Sequence, residues 1–213
     1  MSDTDLRNHV LMELEFEPSL DAVDIGVTVK DGVVTLAGHA PSYAQKVAAE
    51  TAARRVKGVQ VVVQKIEVRP VRADSDEQLA RRALDLLDWD VTIPHGAVKP
   101  DVTGGLITLT GEVEWEYQRR AAAEAVRRLA GVIGVINNIS LRPRVSPTDV
   151  RERIQRALER YADLEAHGVH VEVTDGKVVL TGKVKSWGER DVLQAAAWSA
   201  PGVRAVEDKV TVG

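Results

Sequence analysis

The sequence contains no cysteine, a single phenylalanine and only 4% aromatic residues. Without cysteine the chain can form no disulfide, no thiolate metal site and no cysteine nucleophile. Because aromatic rings are so few, its hydrophobic cores must be built from valine, leucine, isoleucine and alanine. Hydrophobic residues still make up 44% and charged residues 28% of the chain, a composition typical of folded rather than disordered proteins.

An excess of charge of one sign and long apolar runs are also absent. The 28 basic and 32 acidic residues give a net charge of -4, whereas a nucleic-acid-binding protein usually shows a clear basic excess, so we expect no nucleic-acid partner. No stretch approaches the roughly 20 apolar residues of a membrane-spanning helix, and the opening MSDTDLRNHV does not resemble a secretory signal. We therefore expect a cytoplasmic protein without a transmembrane segment, and favour a periplasmic location less.

The most informative feature that is present is an internal repeat. The segments GVVTLAG, GLITLTG and GKVVLTG recur at offsets of 73 and 71 residues, and apolar and glycine positions along the chain match at the same offsets. The repeated glycines are Gly32, Gly105 and Gly176; Gly38, Gly111 and Gly182; and Gly58, Gly131 and Gly202. Such a fixed period predicts three tandem domains, over residues 1–70, 71–145 and 146–213.

Each copy has the pattern helix, strand, strand, helix, strand. In copy one, alternating apolar residues flank Asp31-Gly32, which predicts two strands joined by a tight hairpin. Serines precede the first helix of every copy and the second helix of copies one and three, and Ser42-x-x-Gln45 has the pattern of a capping box. We predict an α+β fold of three small two-layer modules, each with two helices on a three-stranded sheet.

The repeated glycines are expected to be structural. Gly32 and its equivalents would supply positive φ at the hairpin turn, and Gly58 and its equivalents would end the second helix. Gly38 and its equivalents are expected to end a strand just before a helix begins. They either let the chain turn or expose amide groups to an anion such as a lipid phosphate. We favour the turn, because a lone glycine is not a glycine-rich phosphate loop.

No residue pattern indicates catalysis or a metal site. His167-x-x-His170 has the spacing of metal ligands, but the other copies have no matching cluster, so solvent-exposed histidines are the better interpretation. No serine lies in a nucleophile-elbow sequence, and no pair of acidic residues stands out as a catalytic dyad. We expect no catalytic residue, no metal and no cofactor.

Aromatic and basic residues outside the common pattern are the candidate contact residues. An exposed aromatic ring beside cationic side chains suits a membrane interface or a partner surface. The alternative is that these rings pack between neighbouring modules, whereas Trp89 and Trp198 are expected to be core residues. The candidates for lipid or partner contact are Tyr43, Trp115, Tyr117, Trp187, Lys183, Lys185 and Arg190.

The repeated motifs resemble those of the BON domain, a bacterial module found singly or in tandem. The resemblance rests on a strand that ends in glycine, an alanine-rich helix and a Gly-Val step before the last strand. The matching residues are Val34 to Gly38 with Gly58-Val59, Ile107 to Gly111 with Gly131-Val132, and Val178 to Gly182 with Gly202-Val203.

The resemblance implies a binding protein of the osmotic and envelope stress response. The family is associated with phospholipid surfaces or protein partners, some members are linked to potassium, and it is not an enzyme family. We therefore expect a non-enzymatic stress-response protein whose modules dock on a phospholipid surface or a protein partner. The alternative is a protein that binds or senses potassium or another small ion through backbone carbonyls, which leave almost no side-chain signature.

Overall fold

The structure is a computed structural model that describes residues 2–70, 74–142, 154, 169–174, 176–200 and 202–213. Module one contains α1 (Asp3–Phe16), β1 (Ile25–Lys30), β2 (Val33–Ala40), α2 (Tyr43–Arg55) and β3 (Val61–Val68). Module two contains α3 (Asp76–Trp89), β4 (Val98–Thr103), β5 (Leu106–Val113), α4 (Glu116–Arg127) and β6 (Gly134–Leu141). In module three the structure describes β7 (His170–Thr174), β8 (Lys177–Val184), α5 (Trp187–Trp198) and β9 (Ala205–Val212).

The three modules share one sheet topology. In each module the middle strand pairs antiparallel with the strand before it and parallel with the strand after the second helix. The predicted α+β fold with three repeated modules is thereby confirmed. The first helix predicted for copy three falls mostly outside the described residues, which include Ile154, a helical and fully buried residue.

Each module buries its own core against one face of its sheet. In module one, α1 contributes Leu6, Val10 and Leu14, which recur every four residues, and the central strand β2 contributes Val34 and Leu36. None of these five side chains is more than 4% exposed. Because burial of one such side chain stabilises a fold by about 1.5–3 kcal/mol, the aliphatic cores account for the stability of a chain with so few aromatic rings.

The hairpin turns have the predicted geometry. Asp31 and Gly32 have φ of 50° and 76°, and Gly104 and Gly105 have φ of 58° and 81°. Two successive residues at positive φ define the hairpin turn that favours Asp-Gly and Gly-Gly. The first turn of the preceding helix supports this loop in module two, where the Asp76 carboxylate accepts the N–H groups of both glycines over 2.7 and 2.9 Å.

Gly38 lies inside β2 and not at its end as predicted, because the strand continues to Ala40. At its φ of 132°, a Cβ atom would lie 1.9 Å from the carbonyl oxygen of Asp24. The N–H of His39 already donates to that same oxygen over 3.1 Å. The glycine therefore permits a close backbone approach within the sheet. The same conformation recurs at Gly111 (φ 136°) and Gly182 (φ 133°).

Gly58 has the predicted positive φ, at 97°, but it does not end the second helix. Helix α2 ends at Arg55 with Val56 as its C-cap. Gly58 follows in a turn that is closed by a hydrogen bond from the Val59 N–H to the Val56 carbonyl, 3.2 Å long. A turn of this kind needs positive φ at its third residue, which favours glycine. Gly131 and Gly202 repeat the arrangement with φ of 90° and 89°.

The serine caps predicted within the described residues are confirmed, but the capping boxes predicted at α2, α3 and α5 are incomplete. Ser42 Oγ accepts the N–H of Gln45 over 3.2 Å, while the Gln45 side chain accepts the Asp21 N–H and so holds the loop before β1. Ser75 and Ser186 cap α3 and α5 by accepting the N–H groups of Gln78 and Glu189 over 3.3 and 3.2 Å.

Modules one and two form one compact unit, Met1–Leu141, and the remaining residues form a second unit, Arg142–Gly213. The predicted boundaries between copies adjoin or fall within residues outside those described.

Candidate functional site

Tyr43 packs between modules one and two. It is the first residue of α2, it is half-buried, and its ring contacts the hydrophobic core of module two. It also lines a cleft of about 320 Å³ between one face of α2 and the residues of α4 and β6. The interpretation that aromatic rings pack between neighbouring modules is confirmed for Tyr43.

Trp115 and Tyr117 lie at the start of α4. Trp115 is half-buried at the N-cap, where its backbone N–H donates to Gln118 Oε1 over 3.1 Å. Gln118 is the buried polar residue of this module and also accepts the N–H of Glu114. Tyr117 is 57% exposed. Of these two candidates, Tyr117 therefore has the more exposed side chain.

Glu116, between Trp115 and Tyr117 in the sequence, has a partly buried carboxyl group, and burial disfavours its charged form. Burial raises the pKa of its carboxyl, and this effect exceeds the opposing attraction of the Arg119 guanidinium 2.6 Å away. A carboxyl whose pKa is raised by folding destabilises the folded state when it is ionised, and this cost disappears as the pH falls through the folded and then the unfolded pKa.

Replacement of Glu116 by glutamine is therefore expected to raise the melting temperature at neutral pH. The gain should shrink well below pH 4.5, the ordinary pKa of the group, because wild-type Glu116 is then protonated as well. Thermal melts at both pH values test this, with Glu77→Gln as the control, since Glu77 forms an exposed ion pair with Arg81. A variant that melts lower than wild type only at neutral pH would show that the ion pair with Arg119 outweighs burial.

Two of the predicted contact residues, Trp187 and Arg190, come together at the start of α5 in module three, and two more precede them in the chain. Trp187 is half-buried, and the Arg190 guanidinium lies over its ring, 4.9 Å from the ring centroid. Lys183 and Lys185, at the end of β8 and just after it, are both exposed. We call Lys183, Lys185, Trp187 and Arg190 the Trp187 surface. An arginine over an indole ring is a favourable cation–π contact that restrains both side chains.

Asp208 on β9 holds Arg190 in place. Its carboxylate accepts hydrogen bonds from Arg190 Nε and Gln194 Nε2, both 2.6 Å long, and from the Val210 N–H at 2.8 Å. The Asp208 side chain is 9% exposed and that of Arg190 24%. Burial acts to raise the pKa of Asp208, but its hydrogen bonds with Val210, Arg190 and Gln194 outweigh burial and lower the pKa.

Sequence reasoning missed Asp208, although the repeat carries a signal for it. The aligned residues in modules one and two are Gln64 and Asn137, so the position is polar in all three copies. The side-chain oxygen of each accepts the backbone N–H two residues further along the strand, over 2.9 Å for Gln64 and 3.2 Å for Asn137. The side-chain nitrogen of each donates to a backbone carbonyl of the second helix of its module. Because these are edge strands, the side chains cover backbone groups that would otherwise be open to another strand.

A second pair of lysines lies on β8 and β9 in module three. Lys177 and Lys209 form ion pairs with Glu207 at 2.6 and 2.9 Å. Their hydrogen bonds and positive charges lower the pKa of Glu207 to about 2. Glu207 thus balances one of the two positive charges of this pair.

Trp89 is not a core residue as predicted, but is 85% exposed at the last position of α3. The buried stripe of this helix consists of Leu79, Ala83 and Leu87. Because each helical residue turns the chain by about 100°, Trp89 points away from a stripe that passes through Leu87. Trp198, by contrast, is half-buried against the core of module three, as predicted.

The described residues contain no helix that is long and apolar enough to cross a membrane. Within the same part of the chain, no group of three or more acidic or histidine side chains is placed to hold a metal ion. His167 of the predicted histidine pair lies outside the described residues.

Comparisons with known proteins identify the same three copies as the repeat in the sequence. The model of the BON domain matches residues 2–70, 75–143 and 146–213. The chain is 29% identical over 145 residues to osmotically-inducible protein Y of Escherichia coli (strain K12), a match covering 65% of this chain and 72% of that protein.

Two solved structures of CdsD, a structural protein of the type III secretion system of Chlamydia trachomatis, are also similar. The first match covers 98% of this chain and 92% of the solved chain, at 20% identity and a TM-score of 0.27. The second covers 100% of both chains, at 19% identity and a TM-score of 0.26. Scores this low support no conclusion about shape or function. The three matches to one family model do support a conclusion: this chain belongs to the BON domain family and carries three copies of the domain.

Proposed function

We propose that the protein is a stress-related binding protein whose third module docks on anionic phospholipid surfaces through the Trp187 surface. Family membership and the similarity to osmotically-inducible protein Y support the stress-related role. The docking proposal rests on the combination of the Trp187 ring, which Arg190 holds in place, with two exposed lysines, Lys183 and Lys185.

The chemistry of this combination suits the surface of a bilayer. An indole ring is apolar on its faces and polar at its N–H, so it partitions into the headgroup region. Lysines near an anionic leaflet contribute about 1 kcal/mol each. The exposed positive charges of Lys183 and Lys185 supply the attraction, and Arg190, which lies over the ring and pairs with Asp208, orients Trp187. Protein partners are the other outcome of the test, and binding of potassium remains a prediction from the family resemblance.

Sedimentation with vesicles tests the proposal. Trp187→Ala, and separately Lys183→Gln with Lys185→Gln, should each weaken binding to vesicles rich in phosphatidylglycerol; the loss for the lysine pair should be about thirtyfold. The matched controls are Trp89→Ala, another tryptophan, and Lys30→Gln with Lys65→Gln, two exposed lysines of module one. Binding that survives both Trp187-surface variants, or that the controls weaken equally, would remove this surface from the mechanism.

A further inference from the structure

An apolar surface that the Trp187 surface does not include lies at the end of α3 in module two. Trp89 is 85% exposed, Val91 just beyond the helix is 99% exposed, and Leu86 one turn earlier is 39% exposed. We call Leu86, Trp89 and Val91 the α3 tip. A protein has no stability to gain from an indole ring held in water, so a clustered group of exposed apolar side chains indicates an interaction site.

Module one repeats the feature. Phe16, the last residue of α1, aligns with Trp89 at the repeat offset and is 83% exposed, and Met12 one turn earlier is 65% exposed. The chain has only 4% aromatic residues, yet it places one at the exposed end of the first helix in both modules. A recurrence at aligned positions favours a function over an accident of one surface.

The segment that carries the α3 tip is acidic. Asp88 and Asp90 flank Trp89, Asp85 lies one turn before it, and residues 83–98 contain no lysine or arginine. His95 lies 3.1 Å from Asp88 and is the nearest basic partner that this segment supplies. The last turn of α3 has no basic residue either, so the partial negative charge of the helix C-terminus adds to that of the carboxylates.

We propose that the α3 tip binds a segment of a partner protein that presents arginine or lysine beside an apolar side chain. The apolar part of the segment covers Val91 and Leu86, and its cation lies over the Trp89 ring and pairs with the neighbouring carboxylates. An anionic bilayer fits this surface poorly, because its headgroups meet three aspartates next to the ring that would have to insert. The site is therefore distinct in place and in charge from the Trp187 surface.

Binding of a labelled amphipathic peptide of leucine and arginine to the full chain tests the proposal, with a leucine–glutamate peptide and phosphatidylglycerol vesicles as alternative probes. Trp89→Ser with Val91→Ser should weaken the leucine–arginine peptide about thirtyfold or more, the loss typical of a central tryptophan. Asp85→Asn, Asp88→Asn and Asp90→Asn combined should weaken it about tenfold and reduce its salt dependence.

Matched controls remove equivalent groups elsewhere in module two. Ile136→Ser replaces another exposed apolar residue, and Glu77→Gln, Asp101→Asn and Glu112→Gln together remove three other acidic charges. Both controls should bind the peptide as wild type does. The proposal is overturned if wild type does not bind the leucine–arginine peptide, if the tip variant binds it equally well, or if that variant loses vesicle binding instead. Loss of vesicle binding through the Trp187 surface would leave this result unaffected, because that surface lies in another module.

Discussion

Replacing Gly38 by alanine is expected to destabilise module one by about 3 kcal/mol or more. The added Cβ would lie 1.9 Å from the Asp24 carbonyl oxygen, and φ of 132° is strained for any residue with a side chain. Overpacking of this kind costs about 1–3 kcal/mol, and the unfavourable φ adds about 1–2 kcal/mol. The clash is with backbone, so no rotation of a side chain relieves it. Gly111→Ala should behave alike in module two, where the distance is 2.0 Å.

Gly26→Ala is the matched control for this effect. Gly26 lies in β1 of the same sheet, and its Cβ would meet the nearest atom, the Ala37 carbonyl oxygen, at an ordinary 3.6 Å. Urea unfolding of the variants measures the free energy of unfolding directly. We expect Gly26→Ala to unfold close to the wild-type midpoint and Gly38→Ala far below it. Equal midpoints for the two variants would show that the close approach at Gly38 carries no cost.

The second large effect is expected at Asp208. Asp208→Ala would leave the partly buried Arg190 guanidinium without its partner, and the loss of one member of such a pair costs about 3–5 kcal/mol when it is buried. Since Arg190 retains 24% exposure, we expect a value near the lower end. Asp208→Asn should cost less, because asparagine already serves at the aligned position 137 and keeps the hydrogen bond to the strand.

The pH dependence separates the two Asp208 variants from wild type. The pKa of Asp208 is lowered in the folded protein, so its contribution to stability is present above the ordinary pKa of 3.8 and is lost as the pH falls below it. Melts across this acidic range should show a steeper loss for wild type than for Asp208→Asn. Because Arg190 holds Trp187, both variants should also change tryptophan fluorescence. Parallel pH profiles for wild type and Asp208→Asn would contradict this account.

Local patterns predicted the architecture of this chain well. The repeat is visible as a fixed period in the sequence. The alternation of apolar residues and the Asp-Gly and Gly-Gly turns reflect interactions between residues close in the chain, so they can be recognised there as well. Gly38 was recognised as structural, but its true constraint is the Asp24 carbonyl across the sheet. Such an approach depends on strand pairing, which a linear pattern does not contain.

The candidate surfaces were harder to predict for the same reason. Trp89 looks apolar in sequence, and only its angle from Leu87 around α3 shows that it faces solvent. Tyr43 and Trp187 share an aligned position, yet one packs against module two and the other is braced by Arg190. The repeated pattern of secondary structure places both residues at the start of a helix, whereas the residues nearby in space decide what each ring contacts.

The most direct test of the account is a titration of the wild-type chain with vesicles of increasing phosphatidylglycerol content, at low and at high salt. The account predicts no binding to purely zwitterionic vesicles, binding that rises with anionic lipid, and a loss of binding in high salt because exposed lysines supply the attraction. Binding that is independent of lipid charge and salt, or absent from anionic vesicles at low salt, would contradict the proposal that this protein docks on anionic phospholipid surfaces.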